Sequence, residues 1–390
     1  MGKPKIRFKG YEDDWEQRKL GEVSESYSGG TPSVGNKSYY GGSIPFIRSA
    51  EINSESTELF LTEEGLTNSS ARMVSKGDIL YALYGATSGE TGRSRINGAI
   101  NQAILAILPH DGYDSEFLMQ WLRKSKQNIT DIYLQGGQGN LSGAIVKALE
   151  VNFPSLAEQR QIGNYFQSID KLITLHQRKC EETKSLKKYM LQKMFPENGN
   201  CVPKIRFSGF ADAWEQRKFA DMAIRESAVQ TASQEIPGVE YDDVVVEEGC
   251  LNKDISSKET KKSGILFDGS QVLYGKLRPY LHNWLNPDFK GVAVGDWWVL
   301  KPIDLNKNFL YRLIQTQQFD NIANQSAGSK MPRADWNLIS NSAFMVPFSN
   351  EEQSKIGDYF LSLDHLITLH QHKCDELQKL KKFMLQNMFV

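Results

Sequence analysis

Apolar residues recur three or four positions apart along residues 155–195, and the same spacing returns along residues 349–389. This period predicts an amphipathic helix with one apolar stripe in each segment. The residues of the two stripes are Ile162, Phe166, Ile169 and Ile173, and Ile356, Phe360, Leu363 and Ile367. Such a helix is about 57 Å long at roughly 1.5 Å per residue, so its stripe needs a partner of similar length.

Each predicted helix starts with a Ser-x-x-Glu pattern, Ser155 with Glu158 and Ser349 with Glu352. The pattern predicts a capping box, in which the serine oxygen and the glutamate carboxylate accept hydrogen bonds from free N–H groups of the first turn. From Glu158 and Glu352 onward, 25 of 38 aligned positions are identical without a gap. The two helices are therefore copies of one segment, and each can supply the partner that the other needs.

A second repeated segment precedes each body of the chain. The sequence PKIRFKGYEDDWEQRKL at residues 4–20 returns as PKIRFSGFADAWEQRKF at residues 203–219. The repeat unit is therefore a short lead-in, a variable body and a long helix. The two bodies, residues 21–153 and 220–348, share little sequence. A duplicated frame with two diverged bodies indicates one task carried out on two different targets.

Each body is predicted to mix strands, loops and a helix. Residues 26–42 are rich in Gly, Ser and Tyr and are typical of a loop. In the first body KGDILYALYG and AINQAILAILP are predicted strands with a Gly-rich turn between them, and GSQVLYGKLRPYL and GVAVGDWWVLKP match them in the second. The predicted helices of the bodies are residues 115–129 and 308–322.

Composition narrows the class of protein. A chain of 390 residues with 40% hydrophobic residues predicts two to three domains with substantial cores. No run approaches about 18 consecutive apolar residues, and the first residues lack the apolar core of a signal peptide. Four cysteines without disulfide-like spacing indicate a reducing cytoplasm. The net charge of -1 indicates that any DNA binding uses local patches.

The duplicated layout, the helix starts EQxxIGxYF and the strands GDILYALYG and VLYGKLRPYL occur together and in order. In this combination the chain resembles the DNA-specificity subunit of type I restriction-modification enzymes over essentially its whole length. The resemblance implies an α+β fold with two α+β target-recognition domains separated by two long antiparallel helices, a coiled-coil-like spacer, in a pseudo-two-fold internal repeat. The implied domains are residues 1–154 and 197–348, each followed by its long helix at 155–196 and 349–390.

The resemblance also implies a non-catalytic subunit of a bacterial or archaeal cytoplasmic complex. It would read a bipartite site on double-stranded DNA and direct adenine methylation or cleavage by its partners. The implied partners are two methyltransferase subunits and restriction (endonuclease and translocase) subunits, with no membrane. S-adenosylmethionine, ATP and Mg²⁺ are expected on those partners, and no cofactor or metal is expected on this chain.

Proteins read DNA with cations on phosphates and with Arg, Lys, Asn or Gln on base edges, so such residues in predicted loops are the candidates for DNA contact. Basic loop residues are more often only solvated, and most contacts go to phosphates. The candidates of the first body are Lys37, Tyr39, Tyr40, Arg93, Arg95, Asn97, Gln102, Gln138 and Asn140. Those of the second body are Lys261, Lys262, Lys276, Arg278, Tyr280, His282, Lys330 and Arg333. Tyr84, Tyr274 and Trp298 are predicted to be core residues, and the acidic residues 235–248 to face away from DNA.

Catalytic motifs are missing from the sequence: there is no Asn/Asp-Pro-Pro-aromatic motif, no Gly-rich fingerprint between a strand and a helix, and no GxxxxGK[ST]. A self-sufficient methyltransferase is therefore disfavoured. The open alternative is a scaffold that uses the duplicated frame to bind proteins rather than DNA. His176 with Cys180, and His370 with Cys374, would form a zinc-compatible set if the helices pair. Duplication of the helix explains this repeat, so no metal is predicted.

Overall fold

The computed structural model describes residues 3–134, 140–197, 199–255, 258, 261–325 and 331–390. Contacts divide the chain into two units. Unit 1 is Met1–His176 with Lys373–Val390, and unit 2 is Gln177–His372. Each unit therefore contains one lead-in, one body and a part of both long helices. The predicted domain boundaries, which separate each body from its helix, stay a prediction.

The body of unit 1 is built on two four-stranded sheets. One is antiparallel, with strand order β2-β9-β6-β7, and the other is mixed, with order β4-β3-β8-β5 and a parallel pair of β3 with β8. β1 pairs with β10 in a separate antiparallel ladder. The elements are β1 (Glu16–Lys19), α1 (Leu20–Val23), β2 (Ser24–Ser28), β3 (Tyr40–Ile47), β4 (Phe60–Leu61), α2 (Glu63–Thr67), β5 (Arg72–Val74), β6 (Ile79–Ala82), β7 (Thr91–Arg93), β8 (Gly98–Ile100), β9 (Ile104–Pro109), α3 (Ser115–Tyr133), α4 (Gly143–Lys147), β10 (Glu150–Phe153) and the long helix α5 (Leu156–Lys193).

The body of unit 2 repeats the antiparallel sheet of this plan, but the fourth strand of its mixed sheet lies at the opposite edge, because β13 pairs with the antiparallel strand β15 and the parallel strand β14 is at the other edge. Its antiparallel sheet has the order β12-β19-β16-β17, its mixed sheet has the order β13-β15-β18-β14, and β11 pairs with β20. The elements are β11 (Glu215–Lys218), β12 (Ala223–Arg225), β13 (Val229–Thr231), β14 (Gly238–Val239), β15 (Ser263–Phe267), β16 (Val272–Gly275), β17 (Trp284–Leu285), β18 (Gly291–Ala293), β19 (Trp297–Pro302), α6 (Lys307–Leu313), α7 (Gln317–Ala323), α8 (Trp336–Asn341), β20 (Ala343–Val346) and the long helix α9 (Asn350–Met388).

Several predicted elements differ from those observed. The predicted strand AINQAILAILP is two strands, β8 and β9, which lie in different sheets. The predicted Gly-rich turn before it contains β7, which pairs with β6. The helix predicted at residues 308–322 is two helices, because the side chain of Thr316 caps the start of α7 by accepting a hydrogen bond from Phe319 N–H at 3.3 Å.

The lead-in of each unit completes an aromatic core with the end of a long helix. In unit 1 the ring of Phe389 lies 5.1 Å from Phe117 and 5.8 Å from Phe166, and Trp15 lies 5.7 Å from Phe117. Unit 2 repeats the arrangement with Phe195, Trp214 and Phe309, at ring distances of 5.3 to 5.8 Å. Aromatic pairs at these separations are favourable edge-to-face or offset contacts. The lead-in and the helix end are thus duplicated together because they share one core.

The glutamate of each EQxxIG helix start binds the lead-in rather than capping the helix. Arg7 donates to both carboxylate oxygens of Glu158, at 2.7 and 2.8 Å, and Arg206 does so to Glu352, at 2.6 and 2.8 Å. Ser155 accepts the predicted bond from Glu158 N–H at 3.4 Å, whereas Ser349 accepts one from Glu351 N–H at 3.2 Å, one residue earlier than predicted. The carboxylate half of the predicted capping box is therefore wrong. The physical reason is that a buried, bidentate, charge-assisted pair is stronger than a bond from a neutral N–H.

The glutamine and glycine of the same motif join each helix to its body. Gln159 accepts a hydrogen bond from Asp114 N–H at 2.9 Å, and Gln353 accepts one from Asn306 N–H at 2.8 Å. Gly163 allows close approach, because a Cβ there would lie 2.7 Å from the carboxylate of Asp114. The EQxxIG pattern is thus explained by packing within each unit.

The long helices pair antiparallel within each unit, as predicted. In unit 1, Lys381 Nζ lies 2.6 Å from Asp170 Oδ1, and the Cys374 thiol lies 3.7 Å from the carbonyl oxygen of Ile173. In unit 2, Lys187 Nζ lies 2.6 Å from Asp364 Oδ1, and the Cys180 thiol lies 4.0 Å from the carbonyl oxygen of Ile367. The predicted apolar stripes face inward, since seven of their eight members are buried and Ile173 is half-buried.

The described residues contain neither a cluster of metal-binding side chains nor a membrane-spanning helix. Within them, no group of three or more His, Cys, Asp or Glu side chains is placed to hold a metal ion. Both helix thiols instead face the backbone of the neighbouring helix. The same part of the chain contains no helix that is long and apolar enough to cross a membrane.

Candidate nucleic-acid interface

In each body, a loop follows a central strand of the antiparallel sheet, β6 in unit 1 and β16 in unit 2. A second backbone segment crosses this loop, and the arrangement is the same in both bodies. After β6 the chain turns back, and Ala82 N–H donates to the carbonyl oxygen of Glu90 at 2.9 Å. After β16 it does the same, with Gly275 N–H donating to the carbonyl oxygen of Asn283 at 2.7 Å. We call residues 83–90 and 276–283 the platform loops of unit 1 and unit 2.

A second segment crosses each platform loop with matching hydrogen bonds. Leu141 N–H donates to Leu83 O at 2.9 Å in unit 1, and Ala334 N–H donates to Lys276 O at 2.8 Å in unit 2. Isolated bridges pair Tyr84 with Asn140 and Leu277 with Arg333. These bonds align the two loops residue by residue, so that Lys276 corresponds to Leu83 and Arg333 to Asn140. The two units therefore share one backbone arrangement of platform loop and crossing segment, but the side chains on it differ.

The platform loop of unit 2 is basic. Lys276 Nζ lies 3.4 Å from Asp296 Oδ1, and the Arg333 guanidinium lies 3.0 Å from Asp296 Oδ2. The hydrogen bond from Arg333 is the main cause that lowers the pKa of Asp296 below its ordinary value. Arg278 is exposed, and the described residues offer no hydrogen bond or ion pair to its guanidinium. Tyr280 is 51% exposed in the turn that follows. The loop therefore presents more positive than negative charge.

Two residues of this loop have left-handed backbone conformations. Arg278 has φ of 49° and His282 has φ of 54°, whereas Gly85 and Gly89 hold the corresponding positions of unit 1 with φ of 76° and 80°. A residue with a Cβ is less stable there by roughly 1–2 kcal/mol, and glycine has no such penalty. The His282 ring is held inside the unit, 3.1 Å from Glu247 Oε1 and 2.9 Å from Asp320 Oδ1. Its side chain therefore has a structural role.

Gln102 contacts the loop that holds the first candidates of unit 1. The Gln102 amide accepts a hydrogen bond from Thr31 Oγ1, which brings it to the Gly-rich loop of residues 26–42. Lys37 is exposed on a short turn, Tyr39 is half-buried, and the Tyr40 hydroxyl donates to Pro32 O at 2.8 Å. Within this group, the side chains of Lys37 and Gln102 are therefore the most exposed to solvent.

Two candidates of the next hairpin stabilise the fold. The Arg93 guanidinium donates to Gly77 O at 2.6 Å and to Glu116 Oε2 at 2.8 Å. Asn97 accepts from Lys76 N–H at 2.7 Å. Both have local structural partners, whereas Arg95 is exposed. Asn140 is also exposed, on the segment that crosses the platform loop.

The remaining candidates divide by environment. Lys262 pairs with Glu240 at 2.6 Å, and Lys261 is exposed. Gln138 and Lys330 lie outside the described residues. Tyr274 and Trp298 are 2% exposed and belong to the core, and Tyr84 packs against the core of unit 1 while half-buried.

Acidic residues of the 235–248 segment are paired inside unit 2. Asp243 is fully buried between Lys253 and Lys258, with Nζ to carboxylate distances of 2.8 and 2.7 Å. The Glu248 carboxylate lies 2.9 Å from Lys184 Nζ. The sequence reasoning also missed Asp296, the carboxylate that orders Lys276 and Arg333. Its position just before the strand WWVLKP, beside a glycine, was the available signal.

The sequence profile described as the type I restriction modification DNA specificity domain matches residues 12–185 and 212–379. The type I restriction enzyme MjaIX specificity subunit of Methanocaldococcus jannaschii is 30% identical over 188 residues, which cover 46% of this chain and 42% of that protein. The MjaVIII specificity subunit of the same organism is 21% identical over 392 residues, covering 95% of this chain and 91% of that protein.

Similarity to the first of these relatives thus spans less than half of its length. Among solved structures, the S subunit of a type I restriction-modification system from M. genitalium is similar with a TM-score of 0.69 at 14% identity. The match covers 100% of this chain and 99% of that one. At this identity the structural similarity supports the fold, and the two profile matches correspond to the two duplicated halves.

Proposed function

We infer, because this chain belongs to the type I restriction modification DNA specificity family, that each of its two bodies reads one half of a split DNA sequence. The chain is a DNA-recognition subunit without catalytic machinery of its own. The observation that carries the proposal is the platform loop, which has the same backbone bonds in both units and different side chains in each. A repeated support with diverged side chains is what two readers of different sequences require.

The proposed DNA contacts are polar side chains on the platform loop of unit 2, on the segments that cross the two platform loops, and on other loops of the two bodies. In unit 1 they are Lys37, Arg95, Gln102 and Asn140, and in unit 2 they are Lys261, Lys276, Arg278, Tyr280 and Arg333. Cations at such positions position the protein on phosphates, and amide or guanidinium groups distinguish base edges in the major groove. Arg93, Asn97 and His282 shape the loops through their internal bonds.

Exposed apolar residues on the long helices support the binding of two equivalent protein partners. They occur at equivalent positions of the two copies, with side chains 42% to 55% exposed: Leu172 and Leu366, Leu175 and Leu369, Leu186 and Leu380, Tyr189 and Phe383. Large exposed apolar side chains are typical of protein interaction sites. Each unit has one such set. We propose that each set binds one methyltransferase subunit, that restriction subunits join through these, and that S-adenosylmethionine, ATP and Mg²⁺ bind to the partners.

The proposal predicts that the full-length chain selects a bipartite sequence. Duplexes with two randomised segments separated by a fixed gap should yield two enriched half-sites. Mutating either half should then abolish specific protection, because each body contributes its own base contacts. A mismatched base pair typically costs about 1–3 kcal/mol of binding. Binding in low salt strengthens the phosphate contacts and makes a weak complex measurable. Enrichment of a single contiguous site, or of none, would contradict the proposal and favour a protein-binding scaffold.

The distance between the half-sites is expected to depend on the length of the helix pair. Inserting four helix-favouring residues after Cys180 and four after Cys374 adds about one turn and roughly 6 Å to each helix. The outer segments of the two helices stay paired, because both helices lengthen by the same amount. We expect the gap between half-sites to grow by one or two base pairs, at about 3.4 Å each, with both half-sequences unchanged. Selection from duplexes with randomised gaps measures this. A folded variant with the original gap would show that the helices do not set it.

A further inference from the structure

Arg278 occupies a backbone position that unit 1 gives to glycine. The hydrogen bonds that align the platform loops place Arg278 opposite Gly85, and both residues have positive φ. The loop of unit 1 shows that this backbone needs no side chain at the position. In unit 2 the same backbone holds an arginine in a conformation that a Cβ disfavours. The choice of arginine therefore has to be explained by its side chain.

Within the described part of the chain, the polar end of that side chain has no partner. His282, the other left-handed residue of the loop, stacks on Trp284 at 5.1 Å and bonds to two carboxylates. Arg278 is exposed and has no hydrogen bond or ion pair with the described residues. Backbone strain that the fold does not need tends to mark positions used for binding. Arg278 thus combines a backbone conformation that costs stability with a guanidinium that has no polar partner among the described residues.

The surroundings of Arg278 favour a nucleic-acid ligand read in a defined orientation. Lys276 and Arg333 share one carboxylate, that of Asp296, and Arg278 adds a third positive charge, so these four side chains together carry an excess of positive charge. Arg278 N–H donates to Pro332 O at 2.7 Å, and Pro279 follows directly, so the base of the side chain is held in place. A preorganised support lowers the entropy cost of binding.

We propose that Arg278 reads a guanine in the half-site bound by unit 2, with Tyr280 beside it as a second contact. The inference rests on the proposed function and names the residue and base within it. A guanidinium makes two parallel hydrogen bonds to O6 and N7 of guanine, and this bidentate contact is the commonest specific one in the major groove. Glycine at the corresponding position of unit 1 makes no such contact, so the two half-sites differ at this point.

The test is Arg278→Gly in the full-length chain, with binding sites selected from duplexes randomised in both halves. The expected result combines a higher melting temperature with lost preference for one G·C pair in one half-site. Affinity for the wild-type site should fall about 5- to 150-fold, the range for one bidentate contact. The other half-site and the gap should stay the same. A purely structural arginine would not lower binding while raising stability.

Two control variants distinguish recognition of a base from a phosphate contact and from an effect of backbone strain. Arg278→Lys keeps the positive charge but lacks the two parallel N–H donors of the guanidinium. The G·C preference should therefore weaken, while the dependence of affinity on salt stays the same. Asp304→Gly relieves a left-handed conformation elsewhere in unit 2, at φ of 46°, and should leave the selected sequence unchanged. The inference is overturned if Arg278→Gly selects the wild-type sequence, or if it weakens all sequences equally, which is the behaviour of a phosphate contact. Should the wild-type chain itself select no bipartite site, the proposed function fails instead.

Discussion

Replacing Asp364 with alanine is expected to lower the free energy of unfolding of unit 2 by about 3–5 kcal/mol. Its carboxylate binds two cations, Lys187 on α5 and Arg312 on α6, and the Arg312 side chain is completely buried. Without Asp364 both cations would lose the carboxylate that pairs with them in a poorly hydrated site. Burial already lowers the pKa of Lys187 below its ordinary value. Urea unfolding followed by tryptophan fluorescence measures the loss, because five of the seven tryptophans lie in unit 2.

The repeat supplies a matched control for this prediction. Asp170 in unit 1 corresponds to Asp364 and binds Lys381 and Arg123, at 2.6 and 3.2 Å. Here the carboxylate is 32% exposed and the arginine 27%, so water can replace the lost bonds. Asp170→Ala should therefore cost less, roughly 1–2 kcal/mol. Equal losses in the two variants would show that burial of Arg312 is not what makes its pair important.

Exchanging the body of unit 1 for that of another family member should change one half of the recognised sequence completely. The exchange is structurally simple, because the chain runs into the body from β1 and out of it into β10, and these two strands are paired. Lys19 of β1 lies opposite Glu150 of β10, and Leu20 N–H donates to Leu149 O at 2.9 Å. Replacing residues 21–148 therefore leaves that ladder, the lead-in and the long helices in place. Selection from randomised duplexes should return a new half-site, the original second half-site and the original gap.

The reciprocal exchange is the control. Lys218 of β11 lies opposite Ala343 of β20, so residues 220–341 can be replaced between the same two supports. This variant should change the other half-site and keep the first. If either exchange alters both halves together, the bodies do not read independently and the division of labour is wrong.

The repeated frame was predictable because its signals are local. The helical period of the stripe that includes Ile162 and Phe166 depends only on neighbouring residues, and both side chains are buried as expected. Duplication added independent evidence, since two copies with the same stripe predict a mutual partner. The core assignments of Tyr274 and Trp298 were correct because large aromatics in apolar strands are rarely exposed.

Other features depended on partners that are distant in sequence. Glu158 looked like half of a capping box, and its partner is Arg7, 151 residues away. Arg93 resembled a free DNA-binding cation, and Glu116 from α3 pairs with it. Basic residues in loops look alike in a sequence, because the number of carboxylates within reach is set by packing. Only the folded chain distinguishes Arg93 from the exposed Arg95.

By itself, the amino-acid sequence determined the duplication, the two long helices and the family to which the chain belongs. Repeats, periodicity and motif order are properties of the linear sequence, so they can be recognised without the folded structure. The tertiary structure alone decided how the strands divide among sheets and that the two platform loops correspond. It also showed that Arg278 stands where unit 1 has Gly85. Backbone hydrogen bonds create that correspondence, and side-chain identity carries little trace of it because the bonded groups are the same in every residue.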